Sequence, residues 1–439
     1  MIKVALLVAF FLTLTLDELL NIGLLIVPGL SAKNAFLYVM LLAILCSKVI
    51  DRSKSGFQFP AIHLLFVLLI ANASLSIFYM HFVSGDPPGR SLLGHGATLK
   101  SDLLDMYLMF LVAFYALDTR EAAVRFAKLF LLVISVISLI TLLDLLRLPD
   151  LGLTSYRGAR LEGPLGAANA YGIFLAFFIP ILFLAATGVG SRFLRLVYLL
   201  GAVVSTAFLI HTGSRGGFSG LVGGVFFAAW WLRGGYDFQV AIKRVAVISV
   251  VASLIVAVML VTSEDVSTVV EQRVERTTEG TIDDASSGRL TIWGRALDYQ
   301  LARPWTFITG VGWWTFWDKV GWGPHSVYIN YFFSLGIIGL GLFVALLHQI
   351  LTIGKRSVLV AGDYNEERLL MIGMVLGWSA LVVAMITGSV FKPWMFIWPF
   401  TGCCLRIGYG LLLEGREQES VKPKVLVRPS SDYSRRLQT

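Results

Sequence analysis

Charge is what this chain has least of. Asp, Glu, Lys and Arg make up only 15% of its 439 residues, against roughly 25% in a soluble domain. That scarcity, beside 56% hydrophobic residues and a mean hydropathy of +0.77, excludes a soluble enzyme and a disordered chain. Cysteine is nearly missing too. Cys46, Cys403 and Cys404 sit in apolar runs without metal-ligand spacing, so neither a disulfide framework nor a zinc site is implied. No Gly-x4-Gly-Lys-[Ser/Thr] loop occurs, which argues against an ATP-driven pump. No His-Glu-x-x-His or paired-carboxylate motif signals a divalent metal. Alternating strands of about ten residues are absent, which argues against an outer-membrane barrel. The N-terminal apolar run has no small-x-small cleavage site and reads as an uncleaved first span.

What is present is a series of apolar runs close to the length that crosses a bilayer. Twelve can be drawn, at 3–27, 34–50, 60–82, 101–118, 126–146, 169–188, 195–211, 216–232, 245–262, 325–350, 367–390 and 394–413. Lipid offers backbone groups no water, so each is expected to be an α-helix. The fold class is therefore all-α: a polytopic membrane protein of about twelve spans, residues 1–414, with one long outer loop at 263–324. Residues 415–439 form a polar, basic tail, expected to be disordered and able to touch anionic membrane lipid.

The formal charge is +8. Its distribution points to membrane topology, not nucleic acid. With both termini placed in the cytoplasm, every even-numbered span ends in a basic cluster, as the positive-inside rule demands. Roughly fourteen of the 36 Lys and Arg are left outside, among them Arg157, Arg160, Arg215, Arg289, Arg295 and Arg303. Simple topology avoids that side, so a translocated arginine cluster is a candidate anion site. Loop ion pairs with Glu162, Glu271, Glu275, Asp283 and Asp284 are the alternative. Asp17, Glu18 and Asp144 lie within or at the ends of spans and read as helix ends or bends.

Four outer segments carry chemistry. In Gly323-Pro324-His325-Ser326-Val327-Tyr328, Pro324 suits a helix start. His325 then falls in the first turn, with Tyr328 and Ile329 one turn below. A neutral imidazole there can accept a proton near neutral pH. A histidine simply hydrogen-bonded at a loop–helix junction is the plainer reading. His211-Thr212-Gly213-Ser214-Arg215-Gly216-Gly217 is a turn too short to leave the bilayer surface, so Arg215 is held at the depth of a lipid diphosphate, to which a guanidinium can fork two N–H bonds. Ser287-Gly288-Arg289-Leu290-Thr291-Ile292-Trp293 opens an amphipathic helix over 286–302. Arg160-Leu161-Glu162-Gly163-Pro164 precedes Asn169. Trp305, Trp313, Trp314, Trp317 and Trp322 suit either an interfacial belt or stacking on sugar rings. Gly336, Gly339 and Gly341 are expected to let helices approach closely.

Together these segments resemble the O-antigen ligase/O-antigen polymerase superfamily of bacterial membrane glycosyltransferases. The resemblance rests on Ser214-Arg215-Gly216, Ser287-Gly288-Arg289 with Trp293, Gly310-Val311-Gly312, His325-Ser326 with Gly336-x-x-Gly339, and Arg160-x-x-Gly163 with Asn169. It runs from about 155 to 350. Ser326 stands where Asn is common, and Ala167-Ala168 where Pro is common. The resemblance implies a fold of the membrane-embedded glycosyltransferase type. It also implies transfer of a glycan from an undecaprenyl-diphosphate carrier at the periplasmic face of the inner membrane. The acceptor is lipid A-core for a ligase and a lipid-linked glycan for a polymerase. Neither metal nor nucleotide cofactor is implied. Carried over residue by residue, Arg215 and Arg289 hold the diphosphate and His325 lies beside the acceptor hydroxyl. Arg160, Arg157, Asn169, Tyr328, Trp293, Trp313, Trp314 and Trp317 complete the expected substrate site. A transporter or flippase of lipid-linked sugars is the rival reading, and a structural membrane protein the third.

Overall fold

The structure is a computed structural model. It describes residues 2–20, 22–27, 30–50, 58–85, 89–148, 150–157, 160–233, 283, 286, 288–362, 365–388 and 391–421. These residues are almost wholly helical. The helices are α1 (Ile2–Glu18), α2 (Ala32–Ile50), α3 (Pro60–Phe82), α4 (Leu92–Leu99), α5 (Asp105–Ala116), α6 (Arg120–Leu145), α7 (Ala168–Gly188), α8 (Arg192–His211) and α9 (Arg215–Trp231). After them come α10 (Arg289–Leu301), α11 (Thr306–Thr309), α12 (Phe316–Val320), α13 (Val327–Val360), α14 (Asn365–Ala384) and α15 (Phe391–Val421). A π-helical turn, Lys100–Leu104, joins α4 to α5. Two short antiparallel hairpins complete the set: β1 (Leu25–Val27) with β2 (Leu30–Ser31), and β3 (Tyr156–Arg157) with β4 (Arg160–Leu161).

The helical fold agrees with the sequence; the count of spans does not. Among the described residues, 7 helices, not twelve, are long and apolar enough to cross a membrane. They are α3, α6, α7, α8, α13, α14 and α15. The expected spans at 3–27, 34–50, 101–118 and 216–232 do fold as helices, α1, α2, α5 and α9. A hairpin cuts the first short after Glu18, and a π-turn divides the fourth-span region. The α9 helix has 17 residues. The run at 245–262 lies outside the described residues, as do 263–282 of the long loop and 422–439 of the tail. Backbone helix α15 continues to Val421, past the expected start of the tail.

Burial divides the spans. The apolar window of α7 is 89% buried, that of α3 only 39%. The α7 helix is hydrophobic on all sides, as a helix at the centre of a bundle must be. The α14 helix packs against both α7 and α9, and α15 against α5 and α6. Small residues set the α9–α14 distance. A Cβ at Gly224 would lie 2.3 Å from Ala380 Cα, and one at Gly220 2.7 Å from Ala384 Cβ. Such close backbone approach is how helices associate where lipid removes the usual hydrophobic drive.

The acids near span ends are structural. Lys33 pairs with Asp17 at 2.8 Å and with Glu18. Asp144 Oδ2 accepts bonds of 2.7 Å from both the amide and the hydroxyl of Thr154, tying the loop that follows to the end of α6.

Gly336 interrupts α13 with φ 66° and ψ −168°, a region open essentially to glycine alone. The break frees carbonyls of the preceding turn. Val311 N–H donates to Phe333 O at 2.8 Å and Gly312 N–H to Ser334 O at 3.0 Å. A Cβ at Gly336 would lie 2.1 Å from Ile308 O. The Gly310-Val311-Gly312 and Gly336 motifs thus form one junction, locking the loop before α13 to that helix. Gly336→Ala is expected to cost at least about 1–3 kcal/mol for the backbone region alone. Thermal unfolding in detergent checks this; an unchanged midpoint contradicts it.

Candidate functional site

The site forms where several helix ends meet at one end of the bundle. Arg160 arrives on the β3–β4 hairpin. Its Nε donates to Thr212 O at 2.9 Å and its Nη2 to Asn169 Oδ1 at 2.6 Å. One guanidinium therefore joins the hairpin, the first turn of α7 and the α8–α9 turn. Gly163 follows the hairpin with φ +61°, and a Cβ there would lie 2.2 Å from the Tyr171 ring, so the segment can lie over α7 only as glycine.

Arg215 is the first residue of α9. Ser214 caps the helix, its Oγ accepting from Gly217 N–H at 3.1 Å. This is the ordinary chemistry of a serine N-cap. Gly217 meets the backbone of Gly172, where a Cβ would lie 2.6 Å from the carbonyl oxygen. The close crossing of α7 and α9 brings Arg215 into electrostatic contact with Arg160. Orphan N–H groups at a helix start add further positive potential.

Arg289 is the first residue of α10, its N–H donating to Ser286 Oγ at 3.1 Å. The expected helix over 286–302 is observed over Arg289–Leu301. Trp293 sits one turn on, on the same face, and its Nε1 donates to Pro324 O at 2.8 Å. That bond anchors α10 against the segment bearing His325. The second anchor is Met385, just past α14, whose carbonyl accepts from Val327 N–H at 3.0 Å and from Ser326 Oγ at 3.2 Å.

His325 differs from the sequence reading in one respect. Ser326 is the N-cap of α13, accepting from Ile329 N–H at 3.4 Å, so Pro324 does not start the helix and His325 lies before its first turn. The reason is that Ser caps helices well, whereas His325 has φ 48°, a left-handed backbone that helices do not use. A non-glycine residue held there carries strain of about 1–3 kcal/mol, a state often found at functional sites.

The electrostatics tie the four residues together. Burial, then Arg215, holds the Arg160 guanidinium below its ordinary value. Burial, then Arg215 and Arg160, does the same for Arg289. His325 lies below its ordinary value through burial and then Arg289. Glu162 opposes the effect at Arg160. Ion pairs to Glu162 or Asp283 do not neutralise Arg160 or Arg289. Among the described residues no ion pair involves Arg160 or Arg289, whereas at the other end of the bundle Lys3 pairs with Asp118 and Lys128 with Glu366. Asp283 spends its carboxylate on Thr291 and Ser286. Glu271, Glu275 and Asp284 lie outside the described residues. Such a concentration of partly buried guanidinium charge is unfavourable alone and becomes favourable around a multivalent anion.

The remaining expected residues are placed more variously. Arg157 is exposed on β3, opposite Arg160 in the hairpin register. Tyr328 donates its hydroxyl to Val382 O at 2.9 Å, so it fastens α13 to α14. Trp313 is fully buried, edge-on to Tyr331 at 5.5 Å; an indole in that position supports the site from within and does not cover a glycan. Trp314 Nε1 donates to the Asp102 carboxylate, with Arg90 5.5 Å from the ring centre. Trp317 is 55% exposed and lies against Gly323, leaving it as the aromatic face beside the His325 segment. Among the described residues no group of three or more His, Cys, Asp and Glu could hold a metal ion.

Sequence reasoning missed Lys392. Its Nζ donates to Leu165 O at 2.7 Å, securing the loop between Arg160 and Asn169. The signal was available: a lysine directly before an apolar run of span length.

Residues 200–344 match the family model described as O-antigen ligase. That stretch contains Arg215, Arg289, Trp293, the Gly310–Gly336 junction and His325, while Arg160, Asn169 and Lys392 lie outside it. A search among curated proteins gives no match.

Proposed function

We propose that this protein is a membrane glycosyltransferase of the O-antigen ligase/polymerase type. It moves a glycan from an undecaprenyl-diphosphate carrier to an acceptor at the periplasmic face of the inner membrane. The observation that carries the proposal is the convergence of Arg160, Arg215 and Arg289, two of them on helix N-termini, beside a strained His325. The family match over 200–344 supports the same reading.

The reaction is an inverting displacement. The acceptor hydroxyl attacks the anomeric carbon and the carrier diphosphate leaves from the opposite face. His325 orients that hydroxyl and takes its proton. Arg215 and Arg289 stabilise the charge that builds on the departing diphosphate, where fixed donors count most. Arg160, set by Asn169, supports them. Trp317 offers a ring face to the glycan, and Trp293 keeps Arg289 and His325 in register. The acceptor is lipid A-core or a second lipid-linked glycan.

Deleting the gene and restoring it as wild type or as His325→Ala tests the proposal. Surface polysaccharide is then resolved on a gel. Bare lipid A-core with accumulated carrier-linked polymer identifies a ligase. Single repeats without long chains identify a polymerase. An unchanged pattern overturns glycan transfer. Transfer by purified protein in detergent, where no compartments exist, separates the enzyme from a lipid-linked sugar transporter.

Asn169 supplies a finer test. Asn169→Ala removes the acceptor that aims Arg160, a bond to a charged group contributing about 1.5–3 kcal/mol. Transfer is expected to fall about tenfold or more with folding intact. Activity equal to wild type would remove Arg160 from the site.

A further inference from the structure

At the end of the bundle opposite the arginine cluster, a cavity of about 520 Å³ opens between α1, α2, α5 and α15. It takes no part in the chemistry proposed above. The α15 helix starts beside the arginine cluster at Lys392. Arg406, which lines the cavity, is fourteen residues further along, about 21 Å at 1.5 Å per residue. The volume falls in the range of small-molecule sites, roughly 300–1,000 Å³.

Its lining mixes apolar side chains with two cations and one acid. Lys3 and Arg406 face one acid, Asp118. Asp118 is already committed: its Oδ1 lies 2.8 Å from Lys3 Nζ, and its carbonyl accepts from Arg406 Nη2. The Arg406 guanidinium lies 5.9 Å from the Phe114 ring centre and 5.4 Å from that of Tyr409, so aromatic faces hold it in place. Two buried polar atoms on this lining have no hydrogen-bond partner among the described residues: Arg406 Nε and Gln58 Oε1. Buried polar groups rarely stay unsatisfied, and both side chains line the cavity, so a small turn of the guanidinium would offer this N–H to an acceptor there. The cavity also adjoins exposed apolar surface. Ile44 and Ser47 of α2 line it, while Leu42 and Leu45 on the same helix are exposed.

We infer that this cavity binds a phosphate ester, supplied by the headgroup of an anionic phospholipid whose acyl chains lie along α2. Arg406 donates its free edge to the phosphate oxygens. Lys3 adds the second positive charge. Gln58 accepts from a headgroup hydroxyl. The cavity is a lipid site on the far side of the bundle from transfer, so its occupancy and the transfer reaction are separate properties.

Native mass spectrometry of the full-length protein, delipidated in detergent, tests the inference. The probes are dioleoylphosphatidylglycerol, uncharged dioleoylglycerol and inorganic phosphate. Wild type is expected to bind one phosphatidylglycerol in preference to dioleoylglycerol. Arg406→Gln and Lys3→Gln are each expected to weaken it by about tenfold, the size of one charge-assisted bond. Gln58→Leu, which leaves both cations in place, is expected to weaken it less. Thermal unfolding without lipid shows whether each variant is folded; Lys3→Gln, on an exposed pair, serves if Arg406→Gln is not. Unchanged affinity in the folded variants, or equal binding of dioleoylglycerol, overturns the site. Displacement of the lipid by inorganic phosphate at similar concentration assigns it to a soluble anion and overturns the lipid source.

Discussion

Arg215→Ala is expected to reduce glycan transfer by about 10²–10³-fold, the usual cost of removing one fixed donor from a developing anion. The protein should still reach the membrane and unfold at the wild-type temperature. Ser214 caps α9 and Gly217 sets the α7 crossing, and neither depends on the Arg215 side chain. Arg215→Lys is the more telling variant. Lysine keeps the charge but loses the planar fork that engages two phosphate oxygens together. If charge alone mattered, lysine would restore most of the rate; the geometry predicts that it restores little. Initial rates with purified protein and a lipid-diphosphate-linked donor decide the matter. Full activity in Arg215→Ala would sink the site as drawn.

The second large effect concerns His325. Its replacement by Ala should cost about 10²–10⁴-fold, the range for general-base help. The pH profile carries more information than the loss. Burial and Arg289 hold the imidazole below its ordinary 6.5. A base works in its neutral form, so activity is fully present at neutral pH and falls as pH drops through a value below 6.5. Removing a neighbouring positive charge must raise that value. Arg289→Gln should therefore be slower and should show its acid limb at higher pH than wild type. An acid limb above pH 7 in the wild type, or one that Arg289→Gln does not move, contradicts the role given to His325.

Most of the site was legible as motifs because its residues sit on turns and helix starts, where local chemistry is written in neighbouring residues. Ser214 before Arg215 and Ser326 before Val327 are N-caps, and each fixes a helix boundary. Much of the supporting framework was not legible. Tyr328 and Trp313 look like site aromatics in sequence. Whether an aromatic faces solvent or packs inward depends on which helix lies behind it, here α14 for Tyr328 and Tyr331 of α13 for Trp313. Lys392 was overlooked because it meets Leu165 across 227 positions of chain.

The sequence by itself determined that this is a helical membrane protein, because apolar run length and the need to satisfy backbone hydrogen bonds in lipid leave no other fold. It also singled out Arg160, Arg215 and Arg289 as the arginines to examine, through the motifs that carry them. Among the described residues it drew more full-length spans than the 7 observed, since hydropathy does not register the hairpin after Glu18 or the π-turn at Lys100–Leu104. Only the tertiary structure brings Arg160, Arg215 and Arg289 close to one another and Arg289 close to His325. Their separation along the chain is closed by contacts no local pattern encodes: Gly172 against Gly217, Trp293 on the Pro324 carbonyl, and the Met385 carbonyl on the start of α13. Short-range chemistry places each charge at the end of a helix. Packing between distant helices decides which of those ends meet.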